Sequence, residues 1–174
     1  AILCGNSLGG AVAIHYALLR PEKVRGLVLL SPAGLRLPAR ELEELRRTFL
    51  FESNLDSRRF LERLYHKRPL LLPLLAGEVR TQMARPVVRH LIDSVMPHHG
   101  LDPRELRKLS VPILFVWGAS ERILPDVMLE GFREHLPEHA EIEHPEGVGH
   151  CPHLDAPAKV VERIVRFARE AAAK

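Results

Sequence analysis

The sequence contains few of the residues that mark disulfide-rich, metal-binding or membrane-spanning proteins. Its two cysteines, Cys4 and Cys151, stand far apart in apolar or glycine-rich surroundings without C-x-x-C spacing, which argues against a disulfide framework or a zinc site. We expect both to be small buried residues. No apolar run approaches the length of a bilayer-spanning helix, so the sequence predicts no transmembrane segment.

Blocks of like charge are absent as well. The net charge of +3 and the pI near 9.1 are mildly basic, but the Arg and Lys residues alternate with Glu along predicted helices. This interleaving is typical of a solvated surface and argues against a nucleic-acid partner. His98 and His99 are adjacent and have no carboxylate at metal-ligand spacing. We therefore predict a surface turn there and no metal site.

The first ten residues contain the motif G-x-S-x-G, with Ser7 between Gly5 and Gly9. Ile2-Leu3-Cys4 before it is typical of a buried strand, and residues 8–20 after it are typical of a helix that is apolar on all sides and therefore central. A turn this tight requires Gly5 and Gly9 to lack side chains and forces Ser7 into a strained conformation with its hydroxyl exposed. Alone, the motif is equally compatible with a plain strand-turn-helix.

The N–H of Leu8 is among the first free amides of the predicted helix. Helix N-termini leave such donors without intrahelical partners, and this one points to the position where a tetrahedral oxyanion would form beside Ser7. We therefore assign Leu8 N–H as an oxyanion donor.

Strands and helices then alternate, with an interruption. Val24–Leu30 reads as a second buried strand, and strands follow near 111–117 and 140–144, while residues 35–108 have helical spacing. The sequence predicts an α/β fold, a parallel sheet with helices on both faces, divided into core (1–34), helical cap insertion (35–108) and core (109–174). The last helix is expected to bury the stripe Val160, Val161, Ile164, Val165 and Ala168.

The most hydrophobic stretch of the chain lies inside the insertion, at residues 69–75, flanked by His66-Lys67-Arg68 and by Arg80. We expect it to pack onto the domain beneath, and an exposed face that touches a membrane is the less favoured alternative. Such a face can also line an acyl pocket, so Leu71 and Leu74 are candidate substrate-binding residues.

Three segments together resemble the α/β-hydrolase superfamily: Gly-Asn-Ser-Leu-Gly-Gly at 5–10, Trp-Gly-Ala-Ser-Glu-Arg-Ile-Leu-Pro at 117–125, and Gly-His-Cys-Pro-His at 149–153. Each follows a predicted strand, and serine, acid and histidine occur in the order expected for that fold. With Ser-Pro-Ala-Gly-Leu at 31–35, the closest resemblance is to monoacylglycerol-lipase-like serine esterases. It implies a partial fold, the last four strands from the nucleophile elbow onward, without the loop that carries the second oxyanion donor.

The resemblance implies a catalytic triad of Ser7 as nucleophile, His150 as general base and Glu121 as the acid that orients His150. Glu121 stands where the family usually has aspartate, and glutamate is a known alternative in this fold. The implied reaction is acyl transfer to Ser7 with no cofactor. Each residue also has a plain structural interpretation, as a turn serine, a solvated loop carboxylate and a loop histidine.

The leading hypothesis is therefore a serine hydrolase of acylglycerol-like or medium-chain carboxylic esters, with a small-molecule ester as its partner. The alternatives are a carbon–carbon bond hydrolase with the same triad, and a catalytically silent binding module or partial chain. The sequence defines neither the oligomeric state nor the compartment, for which the cytoplasm is the default. Because the resemblance places Ile2–Cys4 inside a larger sheet, we expect the 174 residues alone to be inactive.

Overall fold

The computed structural model describes residues 1–173. Its sheet has four strands in the order β1-β2-β3-β4, all parallel. In register, Leu3 lies opposite Leu27, Leu27 opposite Ile113, and Ile113 opposite Ala140. The strands are Ile2–Ser7 (β1), Gly26–Pro32 (β2), Ile113–Val116 (β3) and Ala140–Glu143 (β4). The predicted parallel α/β sheet is confirmed.

Helices connect the strands, as parallel pairing requires. The helix after the acid loop begins at Asp126 and ends at His135. Between β2 and β3 the chain forms a helical insertion. The α-helices are Leu8–Leu19 (α1), Ala39–Thr48 (α2), Asn54–Leu64 (α3), Leu72–Met83 (α4), Pro86–Ser94 (α5), Asp126–His135 (α6), Pro152–Asp155 (α7) and Pro157–Ala172 (α8).

Each face of the sheet has its own hydrophobic core, because successive strand side chains point to opposite faces. Leu29 and Phe115 belong to the larger core with buried residues of α1 and α6, such as Ile14 and Phe132. The smaller core lies against α8 and contains Val28, Leu30, Leu114, Val116 and Phe167. Helices therefore cover both faces of the sheet, as predicted.

The predicted buried stripe of α8 is wrong in part. Val161 and Val165 are 59% and 42% exposed, whereas Phe167 and Ala171 are buried against the sheet with Val160 and Ile164 packed beside them. The burial of the large Phe167 ring fixes the rotation of the helix, and a helix turned to bury that ring carries Val161 and Val165 to the outside.

Helix α1 and strand β1 are exposed on one side, contrary to the prediction that α1 is buried all round. Ala13, Ile14 and Ala17 face the core, but within residues 1–173 nothing covers the opposite stripe. For the same reason Cys4, on the edge strand β1, is exposed rather than buried, while Cys151 is buried as predicted. The exposed apolar side chains of α1 are Leu8, Val12, Tyr16 and Leu19.

The leucine-rich stretch does not pack onto the domain beneath, so that expectation is wrong as well. Leu70 is 97% and Leu75 53% exposed. Helix α4 begins at Leu72, and its buried side is short: Leu72 and Ala76 form a small cluster with Leu61 of α3. None of the described helices is both long and apolar enough to cross a bilayer.

Candidate active site

Ser7 lies at the junction of β1 and α1 in a strained backbone conformation. Its φ is 53° and its ψ is −121°, a region that costs a residue with a side chain about 1–3 kcal/mol. The strain follows from close packing at the turn, since a Cβ on Gly5 would lie 2.3 Å from Gly9 O and one on Gly10 would lie 2.6 Å from Pro32 Cβ. The sequence prediction was right about Gly5 but wrong about Gly9, where a Cβ would meet nothing within 4 Å.

Leu8 is the first residue of α1. Its N–H therefore has no carbonyl acceptor within the helix, and the partial positive charge of the helix N-terminus favours an anion at this point. The predicted oxyanion donor thus lies directly beside Ser7.

The structure brings Glu121 and His150 together, although 29 positions separate them. His150 Nδ1 lies 2.8 Å from Glu121 Oε2. The His150 and Glu121 side chains are only 5% and 3% exposed. An imidazole that donates from Nδ1 to a carboxylate presents the lone pair of Nε2, so this buried pair is arranged as a general base with its orienting acid.

Glu121 is ionised because its hydrogen bonds outweigh the cost of its burial. Burial works to raise its pKa, but the hydrogen bond and charge of His150 and two backbone donors lower it, and the net pKa is below the ordinary value. Those donors are the N–H groups of Ile123 and Leu124, 2.7 and 3.1 Å from Oε1. One carboxylate oxygen thus binds the acid loop itself and leaves the other for His150.

The loops that carry Glu121 and His150 follow β3 and β4 and are in direct backbone contact. Ser120 N donates to Val148 O at 3.0 Å. A Cβ on Gly118 would lie 2.3 Å from Gly149 O, so only glycine permits this approach. Because the loops touch, the distance between acid and histidine is set by main-chain packing rather than by flexible side chains.

Asn6 joins the serine turn to the histidine loop. Its Nδ2 donates to Leu30 O at 2.9 Å and to His150 O at 2.8 Å, and its Oδ1 accepts from Cys151 Sγ at 3.7 Å. Burial, with the charges of Glu121 and Asp155, raises the pKa of the Cys151 thiol to about 11, which keeps it protonated. Sequence reasoning missed Asn6, since a variable position inside a motif gives no signal of a contact 144 residues away.

Ser7 Oγ makes no hydrogen bond within residues 1–173. Bonds between a nucleophile and its base are often long in the free enzyme and tighten when substrate binds. The structure places the other two predicted site residues elsewhere: Leu71 and Leu74 are 72% and 78% exposed and do not line an enclosed acyl pocket. The reason is that α4 turns Leu72 inward instead.

Within residues 1–173, no group of three or more His, Cys, Asp or Glu side chains could hold a metal ion. His98 and His99 lie in a short 3-10 turn, Pro97–His99, where both side chains are exposed.

Comparison with known proteins decides the family. Residues 1–163 match the alpha/beta hydrolase family. The chain belongs to that family. Its strained serine at the end of β1, its glutamate after β3 and its histidine after β4 follow the chain order serine, acid, histidine of that fold.

Relatives of this alpha/beta hydrolase include proteins named as a lipase and as a semialdehyde hydrolase. It is 27% identical to the monoacylglycerol lipase abhd6-B of Xenopus laevis, over 95% of this chain and 53% of the relative. It is 31% identical to the 2-hydroxymuconate semialdehyde hydrolase of Pseudomonas putida, over 71% of this chain and 46% of that one. The chain thus spans about half the length of these relatives.

The solved structure of a membrane phospholipase A, described as a bacterial virulence factor, has the same fold. The two superpose with a TM-score of 0.79 at 24% identity, over 98% of this chain and 57% of the phospholipase. At this identity the likeness establishes the alpha/beta hydrolase fold of the chain and no more.

Proposed function

We propose that this protein is a serine hydrolase that cleaves carboxylic esters through an acyl-enzyme on Ser7. The observation that carries the proposal is the buried pair of His150 Nδ1 and Glu121 Oε2, 2.8 Å apart, in a loop whose main chain is bound by the residue next to Ser7. A desolvated, oriented imidazole of this kind is what activates a serine hydroxyl in acyl transfer.

In the proposed reaction, Ser7 Oγ attacks the ester carbonyl carbon while His150 Nε2 takes the hydroxyl proton. The carbonyl oxygen becomes an oxyanion, to which the Leu8 N–H donates. When the C–O bond to the alcohol breaks, His150 returns the proton to the leaving oxygen. Water then attacks the acyl-Ser7 carbonyl by the same proton path, which releases the carboxylic acid and restores the serine.

Glu121 has a different role from the other two residues. Its lowered pKa keeps it negative throughout, so it stabilises the imidazolium that forms when His150 takes the serine proton and it fixes the Nδ1–H tautomer. The N–H groups of Ile123 and Leu124 hold its other oxygen, so the carboxylate stays in place while the proton moves between Ser7 and His150.

We propose acylglycerol-like or medium-chain esters as the substrate class. Support comes from the relative whose name is monoacylglycerol lipase. It is also consistent with the leucines that α4 presents to the surface, since apolar side chains suit an acyl chain or an interface that contains it.

Labelling by a fluorophosphonate probe tests the nucleophile directly, because the probe reacts only with an activated serine. In the complete natural protein, we expect the wild type to be labelled and to hydrolyse a nitrophenyl butyrate ester. Ser7→Ala should abolish the labelling and lower turnover by about 10⁴-fold to 10⁶-fold, as for other serine hydrolases. An unlabelled wild-type protein would instead indicate a binding module.

Carbon–carbon bond hydrolysis is the second candidate, and the relative named 2-hydroxymuconate semialdehyde hydrolase favours it. The same triad could serve a reaction in which a bond from a carbonyl carbon to carbon is cleaved. Parallel kcat/KM measurements on a nitrophenyl ester and on a meta-ring-cleavage product separate the two. We expect the ester to have the higher kcat/KM, and a higher value for the ring-cleavage product would reverse the assignment.

A further inference from the structure

The end of cap helix α3 lies directly on the histidine loop. A Cβ on Gly149 would be 3.1 Å from both His66 N and Leu64 O, so the two backbones meet without a side chain between them. Cys151 N donates to Leu64 O at 3.3 Å. Residues 64–66, here called the cap latch, are therefore neighbours of the residues on both sides of His150.

Asp155, which ends the short helix α7, joins the cap latch to this loop. Its Oδ2 accepts from Gly149 N at 2.8 Å. Both of its oxygens accept from His66 N, at 3.0 Å each. Hydrogen bonds to an ionised carboxylate are shorter and stronger than neutral ones. One side chain thus holds the peptide before His150 and the first residues after α3 together.

The same cap segment also binds the acid loop. His66 Nδ1 and Ser120 Oγ are 2.7 Å apart. Arg122 Nη2 donates to Glu62 O at 3.0 Å, and Arg63 Nε donates to Arg122 O at 2.6 Å. The loops that supply the acid and the base are therefore both fastened to one short piece of the cap.

We infer that Asp155 is a positioning residue for His150. By clamping the histidine loop to the cap latch, Asp155 keeps the His150 ring at the distance from Glu121 and Ser7 that the reaction needs. The inference rests on the proposed function, since it concerns the same His150. Main-chain contacts fix His150 from two sides: Asp155 binds the N–H of Gly149, and Asn6 binds the carbonyl of His150. Asp155 contacts backbone groups and acts on the reaction only through His150.

Asp155→Asn removes one acceptor while keeping the size of the side chain. With the amide oxygen in the place of Oδ2, the bond to Gly149 N can persist, but the NH₂ group in the place of Oδ1 then faces His66 N at about 3.0 Å. Two donors repel one another, so the clamp between His66 and the histidine loop is weakened. A displacement of about 1 Å in a catalytic group can cost on the order of 10²-fold in rate. In the complete natural protein, we expect kcat on a nitrophenyl ester to fall by about that factor, with KM nearly unchanged.

Three readouts separate positioning from mere stability. Asp155→Glu keeps the charge and both oxygens and should recover most of the lost kcat. The low-field proton resonance of the His150 Nδ1–H bond to Glu121 should shift or broaden in Asp155→Asn. The matched control is Asp102→Asn, because Asp102 also accepts from a backbone N–H, that of Arg104 at 3.0 Å, but in a turn outside the site; it should leave kcat and the resonance unchanged.

A second pair of variants tests the cap side of the clamp and covers the case that Asp155→Asn does not fold. His66→Pro deletes the N–H that Asp155 binds, and His66→Ala keeps it while removing the ring that contacts Ser120. We expect His66→Pro to reduce kcat by on the order of 10²-fold and His66→Ala to cause a smaller loss.

The inference is overturned if a folded Asp155→Asn, or His66→Pro, retains wild-type kcat and an unshifted resonance. It is also overturned if Asp102→Asn loses as much activity as Asp155→Asn. Failure of the proposed function looks different: the wild-type protein is then not labelled by the fluorophosphonate, or Ser7→Ala keeps its turnover.

Discussion

Two consecutive parts of the helical insertion, the end of α3 and helix α4, meet the rest of the protein in opposite ways. The cap latch at the end of α3 is hydrogen-bonded to the loops of Glu121 and His150. Helix α4 packs on α3 through Leu61, Leu72 and Ala76 and turns its other leucines to the solvent. The cap latch therefore lies against the loops of the site, whereas α4, the outer part of the cap, presents an apolar surface.

The largest effect is expected from a change of Glu121, in the acid loop to which the cap latch is bound. Glu121→Gln keeps the shape of the side chain but removes the charge that orients His150 and stabilises its imidazolium. We expect kcat to fall by about 10³-fold to 10⁴-fold, as for the corresponding amide change in a serine protease. Steady-state kinetics on a nitrophenyl ester measure it.

Asp126→Asn is the matched control for that change. Asp126 is exposed and is the first residue of α6, which has no side-chain capping hydrogen bond. Its charge lies in the first turn of the helix, where it is stabilising, so the variant should lose about 0.3–1 kcal/mol of stability and little activity. A larger loss of kcat in Asp126→Asn than in Glu121→Gln would move the acid to Asp126.

Substitutions at two glycines compare how tightly the acid loop and the outer cap helix α4 are packed. In Gly118→Ala, the new Cβ would lie 2.3 Å from Gly149 O and 2.6 Å from Val148 O. Because backbone must move to make room, we expect a loss of about 3 kcal/mol in the free energy of unfolding. In Gly77→Ala on α4, the Cβ would meet nothing within 4 Å, and the better helix propensity should add up to about 1 kcal/mol.

Urea titrations of both variants measure the difference. Equal effects at the two glycines would mean that the site loops are no more closely packed than the outer cap.

Low pH should reduce the free energy of unfolding through protonation of Glu121. Its folded-state pKa is below the ordinary value of 4.5, so its contribution to stability is present above that value and is lost as the pH falls through the folded-state pKa. The free energy of unfolding of the wild type should therefore exceed that of Glu121→Gln at pH 7, and the gap should narrow below about pH 4. A gap that is constant between pH 7 and pH 3 would contradict the ionised, hydrogen-bonded state of Glu121.

The smallest effects are expected on α4. Leu71 and Leu74 are mostly in solvent, so Leu71→Gln and Leu74→Gln should change the free energy of unfolding by less than about 0.5 kcal/mol. Hydrolysis of a soluble acetate ester should also be unaffected. Any loss of kcat/KM should grow with acyl length, because each methylene in apolar contact is worth about 0.8 kcal/mol. An equal loss on acetate and on long-chain esters would show that α4 has a structural role instead.

Sequence patterns predicted the elements whose residues carry strong local signals. Strand β2 contains the apolar run at 27–30, and α6 lies between Pro125 and Leu136-Pro137, so both could be recognised from the sequence. The stretch at 69–75 could not be placed, because a run of leucines is the same whether it is buried or exposed. Which of these leucines are exposed depends on where α4 begins and on the side it turns toward α3.

The candidate site divides in the same manner. Ser7, Glu121 and His150 could be selected because their motifs are local. Asn6 and Asp155 could not, because their roles depend on backbone groups 144 and 89 residues away. In the sequence Asp155 is only a polar residue shortly before the last helix, and the assembled loops reveal its hydrogen bonds to Gly149 and His66.

The hydrogen bond from Asn6 to His150 also constrains the order in which the protein assembles. It closes a loop of 144 residues, and long-range contacts of this kind form after the local ones because the chain entropy of closure must be overcome first. During synthesis, the serine turn emerges long before the residues that supply its base. The nascent chain therefore carries Ser7 without a base until the histidine loop has been synthesised and has closed on Asn6.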